Sequence, residues 1–413
     1  MPVMSFLLIM ENMSLMYVFL WAAELVFYIV FIKIYQACYK GLSKLVLNNM
    51  MMCMMVGFVM LGRLSEDYAV HQIILATIAM VICIFVPLFI ECFRILERLG
   101  WQYALVGILF LMLVFVIGVE KNGSRNWINI GGIAIQPSEF VKILYVFFMS
   151  ALLAKSTKFK HIVLITCAAA VHVVILVAEK DLGAALIYFV TYIVVLYVAT
   201  MNVAYLGAGL AGGATAAVVA YRLFSHVKTR VYAWQDPWGT INNEGYQVAR
   251  SLFAIGTGGF IGMGLGKGLP TSVPVVESDF IFSAISEELG GVFAICLIMV
   301  YLSSYIMFVN IAMKMKKQFY KLTAFGLSVV FIFQVFLCVG GVTKFIPSTG
   351  VTLPLISYGG SSIMTTIIIF SIIQGMYVLN GREEESIEEE EKVSSGRRKA
   401  GSRREKRKKS GRD

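Results

Sequence analysis

The chain has 413 residues, of which 59% are hydrophobic and only 15% charged, against about a quarter charged in ordinary soluble domains. That balance excludes a water-soluble globular enzyme, whose core has no room for so much apolar surface. The net charge of +10 does not point to nucleic acid, because its Lys and Arg gather at the ends of apolar runs and in the tail.

Apolar runs that approach the roughly 20 residues needed to cross a bilayer lie near 14–36, 47–62, 71–94, 103–119, 139–154 and 160–178. Others follow near 183–199, 204–221, 280–310, 320–341 and 356–379. Such spans must be helical, since lipid offers no partner to a bare peptide group. The expected fold class is therefore all-α, a polytopic membrane helical bundle. Met1 to Ser14 lacks the basic start and cleavage site of a signal peptide, so the first span is expected to stay in place. The seven cysteines lie in or beside apolar runs without C-x-x-C spacing, which suits packing rather than bridges or metal binding.

Basic residues fall on alternate connections: Lys40 and Lys44, Arg94 and Arg98, Lys155 to Lys160, and Lys314 to Lys321. Those connections are expected in the cytoplasm. The segments around Asp67, Glu120 to Gly132, Glu179 to Asp181, Phe224 to Asp279 and Lys344 to Leu355 then face out, with the N-terminus outside and the C-terminus inside. The tail, residues 381–413, carries an acidic block followed by a basic one and no apolar period. Disorder is expected there, as a handle for anionic membrane lipids or a partner.

The long outward loop, residues 224–279, holds Trp234, Trp238, Tyr246 and a glycine-rich run from Ala254 to Gly268. Two readings stand: an interfacial, re-entrant anchor, or a backbone that lets a polar or lipid-linked substrate approach closely. A nucleotide loop is not expected, for no strand precedes it and no Walker lysine follows.

Ionisable residues at the mouth of a bundle seldom persist without a task. Asp279 ends the loop and opens an apolar run. It reads as a helix cap or, with Ser283, Ser286 and Gly290 on its helical face, as the edge of a small polar site. Glu287 and Glu288 lie about 12 Å deeper by helical rise and require partners from elsewhere in the bundle. Glu139 and Lys142, three apart at the start of a span, read as a buried ion pair or as a cationic grip on phosphate. Asp181 caps the next outward-starting span. Glu24 and His172 read as packing or interhelical contacts, and neither zinc hydrolysis nor serine acyl transfer has a motif here.

Taken in order, Gly123-Ser-Arg-Asn-Trp127, Gln136-Pro-Ser-Glu-Phe-Val-Lys142, Asp181-Leu-Gly183, Asp236-Pro-Trp238, Ser251 to Gly259, Ser278-Asp-Phe280, Pro347 to Pro354 and Ser357-Tyr-Gly-Gly-Ser-Ser362 resemble the SEDS family of RodA, FtsW and SpoVE. The resemblance implies a ten-helix membrane glycosyltransferase over residues 47–380, with residues 1–46 as an additional transmembrane helix and linker. It implies polymerisation of lipid II onto a growing glycan strand, outside the bacterial cytoplasmic membrane, together with a class B penicillin-binding protein. Asp279 takes the position of the family's essential aspartate, and general-base chemistry suits it. Glu139, Lys142, Arg125, Trp127, Asp181, Glu277 and Ser286 are the expected substrate-binding residues. Lys142 and Arg125 are the expected partners of the diphosphate leaving group. A divalent cation, magnesium or manganese, is a further expectation, and no organic cofactor is expected. Val275 stands where the family carries a carboxylate, with Glu277 two residues later, and Arg125-Asn-Trp127 lacks the second arginine of the common pattern. A lipid II transporter and a silent scaffold are the competing readings; no broken-helix repeat supports the first, and Asp279 argues against the second.

Overall fold

The computed structural model describes residues 15–39, 41–92, 94–121, 124–130 and 133–382. The charged tail from 383 onward, with the disorder expected of it, lies outside the described residues, and so does the side chain of Arg125.

Eleven helices among the described residues are long and apolar enough to cross a membrane. They are α1 (Leu15–Cys38), α2 (Lys44–Leu64) and α3 (Glu66–Cys83), which runs into the short α4 (Val86–Cys92), then α5 (Gly100–Ile117) and α6 (Pro137–Lys155). Next come α7 (Phe159–Ala178), α8 (Leu182–Thr200) and α9 (Val203–Leu223). After the outer loop follow α12 (Ile281–Lys314), α13 (Gln318–Val342) and α14 (Gly360–Arg382).

Local chemistry sets the starts. Ser43 caps α2 by accepting from the Val46 amide, and Asp181 caps α8 by accepting from the Ala184 amide at 3.0 Å. Pro137 opens α6, where its missing N–H is no loss.

Helices α2, α6, α13 and α14 bury most of their surface and form the inner layer. Helix α9 buries no residue and touches α8 by setting Gly209 and Gly213 against Ile193 and Phe189. Its small residues let two backbones approach, the usual contact between helices in lipid. His172, in α7, packs on Tyr145 and Phe148 with Nδ1 2.8 Å from the Ala168 carbonyl oxygen, a packing contact.

The expected polytopic helical bundle is borne out, and two features stand beside its spans. Between α5 and α6, β1 (Val119–Lys121), β2 (Ser124–Ile130) and β3 (Ile133–Ile135) form an antiparallel sheet in the order β1-β2-β3. Asn122-Gly123 and Gly131-Gly132 separate alternating β-type residues, a two-residue hairpin signal at each join. The outer loop also contains helices, α10 (Ser225–Gln235) and α11 (Tyr246–Gly258).

Contacts sort the connections onto two ends. Lys317 lies 3.8 Å from Glu97, and Gln374 brackets the Ser43 backbone, joining lysine-bearing connections at one end. At the other end, Arg63, Asp181, the outer loop and residues 344–358 meet.

Candidate active site

The start of α12 is tied to the segment before α14. Tyr358 N donates to the Glu277 carbonyl at 2.7 Å, Ser357 Oγ donates to the Ser278 carbonyl, and the Cys338 thiol reaches the Asp279 carbonyl. These bonds hold the backbone around Asp279 and leave its carboxylate for other work. Helix α12 begins at Ile281, so Asp279 lies in the preceding turn, off the helix. The shared face with Ser283 and Ser286 therefore does not form. Ser286 Oγ donates to the Phe282 carbonyl at 2.8 Å, and Gly258 of α11 covers it so closely that a Cβ there would stand 2.1 Å from the Ser286 carbonyl oxygen.

Across from Asp279 stands Arg230, from α10, a residue the sequence reading passed over. Its Nη1 donates to the Ser348 carbonyl at 2.8 Å. Gly350, with φ of +73°, lies between the two side chains: a Cβ there would be 3.4 Å from Asp279 Oδ2 and 3.5 Å from Arg230 Nη2. Burial raises the Asp279 carboxyl above its ordinary range and Glu277 and Asp181 add to the rise, while a Ser278 hydrogen bond and the Arg230 charge oppose it. Burial lowers Arg230, opposed by the charges of Asp279 and Asp181. Trp234 Nε1 donates to the Lys344 carbonyl at 3.0 Å, clamping the same helix to the loop before α14.

Asp181 is the hub beside this pair. Its Oδ2 accepts from Asn126 Nδ2 and Gln136 Nε2, each at 2.9 Å, and from Ser138 Oγ at 3.2 Å, while Oδ1 caps α8. One carboxylate thereby joins β2, α6 and α8. Trp127, in β2, pairs with Val119 and sits half-buried beside Asn126. Glu179, two residues before Asp181, is buried, and neither carboxylate oxygen has a hydrogen-bond partner among the described residues. Burial and the Asp181 charge push its carboxyl up to about 8.

Glu139 and Lys142 do form the ion pair, at 2.5 Å between Nζ and Oε2. Lys142 Nζ also donates to Gln334 Oε1 at 2.8 Å, and Thr365 Oγ1 donates to Glu139 Oε2 at 3.0 Å. The pair ties α6 to α13 and α14. Glu288 finds its required partner in Arg63 of α2, whose Nε is 3.1 Å from Oε1; Glu287 Oε1 accepts from the Leu269 amide at 3.0 Å. The glycine-rich run serves this packing, because Met263 N and Gly264 N donate to the Glu287 and Glu288 carbonyls.

No group of three or more His, Cys, Asp or Glu side chains converges among the described residues, and Asp181 already accepts the four hydrogen bonds above.

The sequence pattern of the cell cycle protein family of FtsW, RodA and SpoVE matches residues 36–379. The chain belongs to this family. Among its FtsW, RodA and SpoVE relatives, the peptidoglycan glycosyltransferase RodA of Mycobacterium tuberculosis (strain ATCC 25618 / H37Rv) is 37% identical over 332 residues, covering 76% of this chain and 71% of the relative. Stage V sporulation protein E of Bacillus subtilis (strain 168) is 33% identical over 281 residues, covering 64% of this chain and 75% of the relative. The RodA likeness extends to solved structures. A chain from a structure on the coordination of polymerization and crosslinking by a peptidoglycan synthase complex superposes with a TM-score of 0.70 at 23% identity, covering 82% of this chain and 98% of that one. The rod shape determining protein RodA of Thermus thermophilus gives 0.58 at 23% identity, covering 81% and 96%. At that identity the likeness speaks for the fold alone.

Proposed function

We propose that this chain polymerises lipid II on the outer face of the bacterial cytoplasmic membrane, with Asp279 as general base. The enzyme class follows from the family: the chain is a peptidoglycan glycosyltransferase, as its relatives at 37% and 34% identity are named. The observation that carries the mechanism is the placement of Asp279 and Arg230 on either side of Gly350. Asp279 takes the proton of the acceptor sugar's 4-hydroxyl as that oxygen attacks the donor's anomeric carbon. The bond from that carbon to phosphate oxygen breaks, and undecaprenyl pyrophosphate leaves with the electron pair. A carboxylate raised by burial is a stronger base than an ordinary aspartate, and a placed base contributes about 10² to 10⁴ in rate.

Arg230 spends one guanidinium donor on Ser348 and presents others to the leaving diphosphate, whose charge it offsets. Asp181 orients Asn126 and Gln136 at the rim of the site. Lys142 supports the site from within the bundle, paired to Glu139. In this reading the lysine-bearing end lies in the cytoplasm and the Asp279 end outside, with the N-terminus outside and the C-terminus inside, which the alternate basic connections support. A class B penicillin-binding protein is the partner that crosslinks the strands; the neighbouring solved structure belongs to a complex that couples polymerization and crosslinking.

The test uses the purified chain with its cognate transpeptidase and labelled lipid II. Asp279→Asn is expected to abolish glycan strands while preserving melting temperature. Strands of equal length and rate from both proteins would overturn the base. Movement of lipid II across vesicles without polymer would favour transport.

A further inference from the structure

Helix α12 has 34 residues, against the roughly 20 that cross a hydrocarbon core. The surplus stands outside the core, and the charges say where. Residues 281–290 contain Glu287 and Glu288, bound to Arg63 and to the amides of Leu269 and Gly266. From Gly291 the helix is uncharged until Lys314. The chain also breaks between these parts, at Gly290, with φ of +86° and ψ of 165°. The headgroup boundary therefore passes close to Gly290.

The outer loop descends to that same level. Gly291 N donates to the Gly259 carbonyl at 2.8 Å and Val292 N to the Phe260 carbonyl at 3.1 Å. Positive φ at Gly259 and Gly262 turns the chain back on itself there, and a Cβ on Gly262 would strike the Glu288 carbonyl oxygen at 2.4 Å. With its backbone pressed against the break, the knuckle points its side chains outward. Phe260 is 82% and Ile261 89% exposed. Val292, bonded through its amide to Phe260, is exposed as well, and Ile295 and Met299 follow it at helical spacing, exposed along the membrane-spanning part of α12.

We infer that Phe260 and Ile261 insert into the hydrocarbon margin of the bilayer and anchor the outer loop there. The occupant of this surface is lipid, because the surface adjoins the lipid-facing side of α12 and lies at the depth where its charges end. Only the name of the leaflet, the outer one, rests on the proposed orientation. Helix α12 starts at Ile281, nine residues before Gly290, so the helix start that follows Asp279 stands about 13 Å above this boundary.

The full chain, in nanodiscs of phosphatidylethanolamine and phosphatidylglycerol with brominated acyl chains, tests this without any activity measurement. Phe260→Trp and Ile261→Trp are each compared with the wild type by difference emission. Bromolipid is expected to quench the added emission by about half or more, with aqueous iodide leaving it unchanged, as for a side chain at the acyl boundary. Quenching by iodide without quenching by bromolipid overturns the anchor, and so does protection from both. Hydrogen exchange gives a second readout: Phe260→Ser/Ile261→Ser is expected to speed exchange at residues 258–264 in nanodiscs relative to wild type, with an unchanged melting temperature in detergent. Equal exchange in both proteins also overturns the anchor. If the anchor holds while Asp279→Asn retains polymerisation, the general-base assignment fails and the insertion stands.

Discussion

Arg230 and Asp279 face one another across the backbone of Gly350, close enough that one added methyl group at the glycine would touch both. Gly350→Ala is expected to lose most polymerisation for two reasons: the new Cβ fills the gap between base and cation, and φ of +73° disfavours any side chain. The stability cost is about 1 kcal/mol, so a well-folded but inactive variant is the expected outcome. Full activity in Gly350→Ala would mean that substrate does not pass between the two residues.

The pH profile reports the same pair. Because burial raises Asp279, the acid limb of kcat/KM is expected above the usual aspartate value of about 4. Arg230 opposes the rise and Glu277 adds to it, so Arg230→Met moves the limb up and Glu277→Gln moves it down. Profiles measured between pH 4 and 9, on the order of the range carboxylates and histidines cover, decide it; a limb that neither variant moves argues against Asp279 as the titrating base.

Lys142 tests structure against substrate contact. Lys142→Met alone leaves the half-buried Glu139 carboxylate without its partner charge, a loss of about 3 kcal/mol or less. Glu139→Gln/Lys142→Met removes both charges and is expected to recover most of that stability in thermal melts. If the recovered double variant polymerises lipid II, the pair is structural; if it is folded and dead, Lys142 also meets the diphosphate.

Glu179 makes the fold pH-sensitive. Its carboxyl, up near 8 in the folded chain, has an ordinary value of about 4.3 when exposed. The folded protein holds a proton that the unfolded chain gives up, so the stability this adds is complete below about 4.3 and is lost as pH rises through 8. Glu179→Gln is expected to flatten that decline, melting nearer to wild type at pH 5 than at pH 9. Parallel melting curves would show that Glu179 is already ionised in the folded state.

Val275 is a β-branched residue with φ of +56°, a conformation such side chains avoid. Val275→Gly is expected to raise stability by about 1 kcal/mol through relief of that strain. A lower melting temperature would mean that the valine side chain contributes more by packing than its backbone costs.

The spans were legible because lipid allows only helices and each needs about 20 apolar residues. The need of Glu288 for a partner elsewhere in the bundle was legible too, though not that Arg63 would supply it. Arg230 was not, since it lies in a polar stretch 49 positions before Asp279 and meets it only once the chain has folded around Gly350. Helices α10 and α11 escaped notice because length and glycine content read as loop. The hairpin signals at Asn122-Gly123 and Gly131-Gly132 were present in plain form, but so short a sheet is easily lost among spans. Ser286 was misplaced by a phase argument that began the helix two residues early.

The straps from Tyr358 to Glu277 and from Ser357 to Ser278 hang Asp279 between the mouths of α12 and α14. A group suspended from two stiff rods registers any sliding of one against the other. At its far end α14 grips Ser43 through Gln374, so the same helix is fastened at both of its ends, once to the start of α2 and once to the turn that carries the carboxylate.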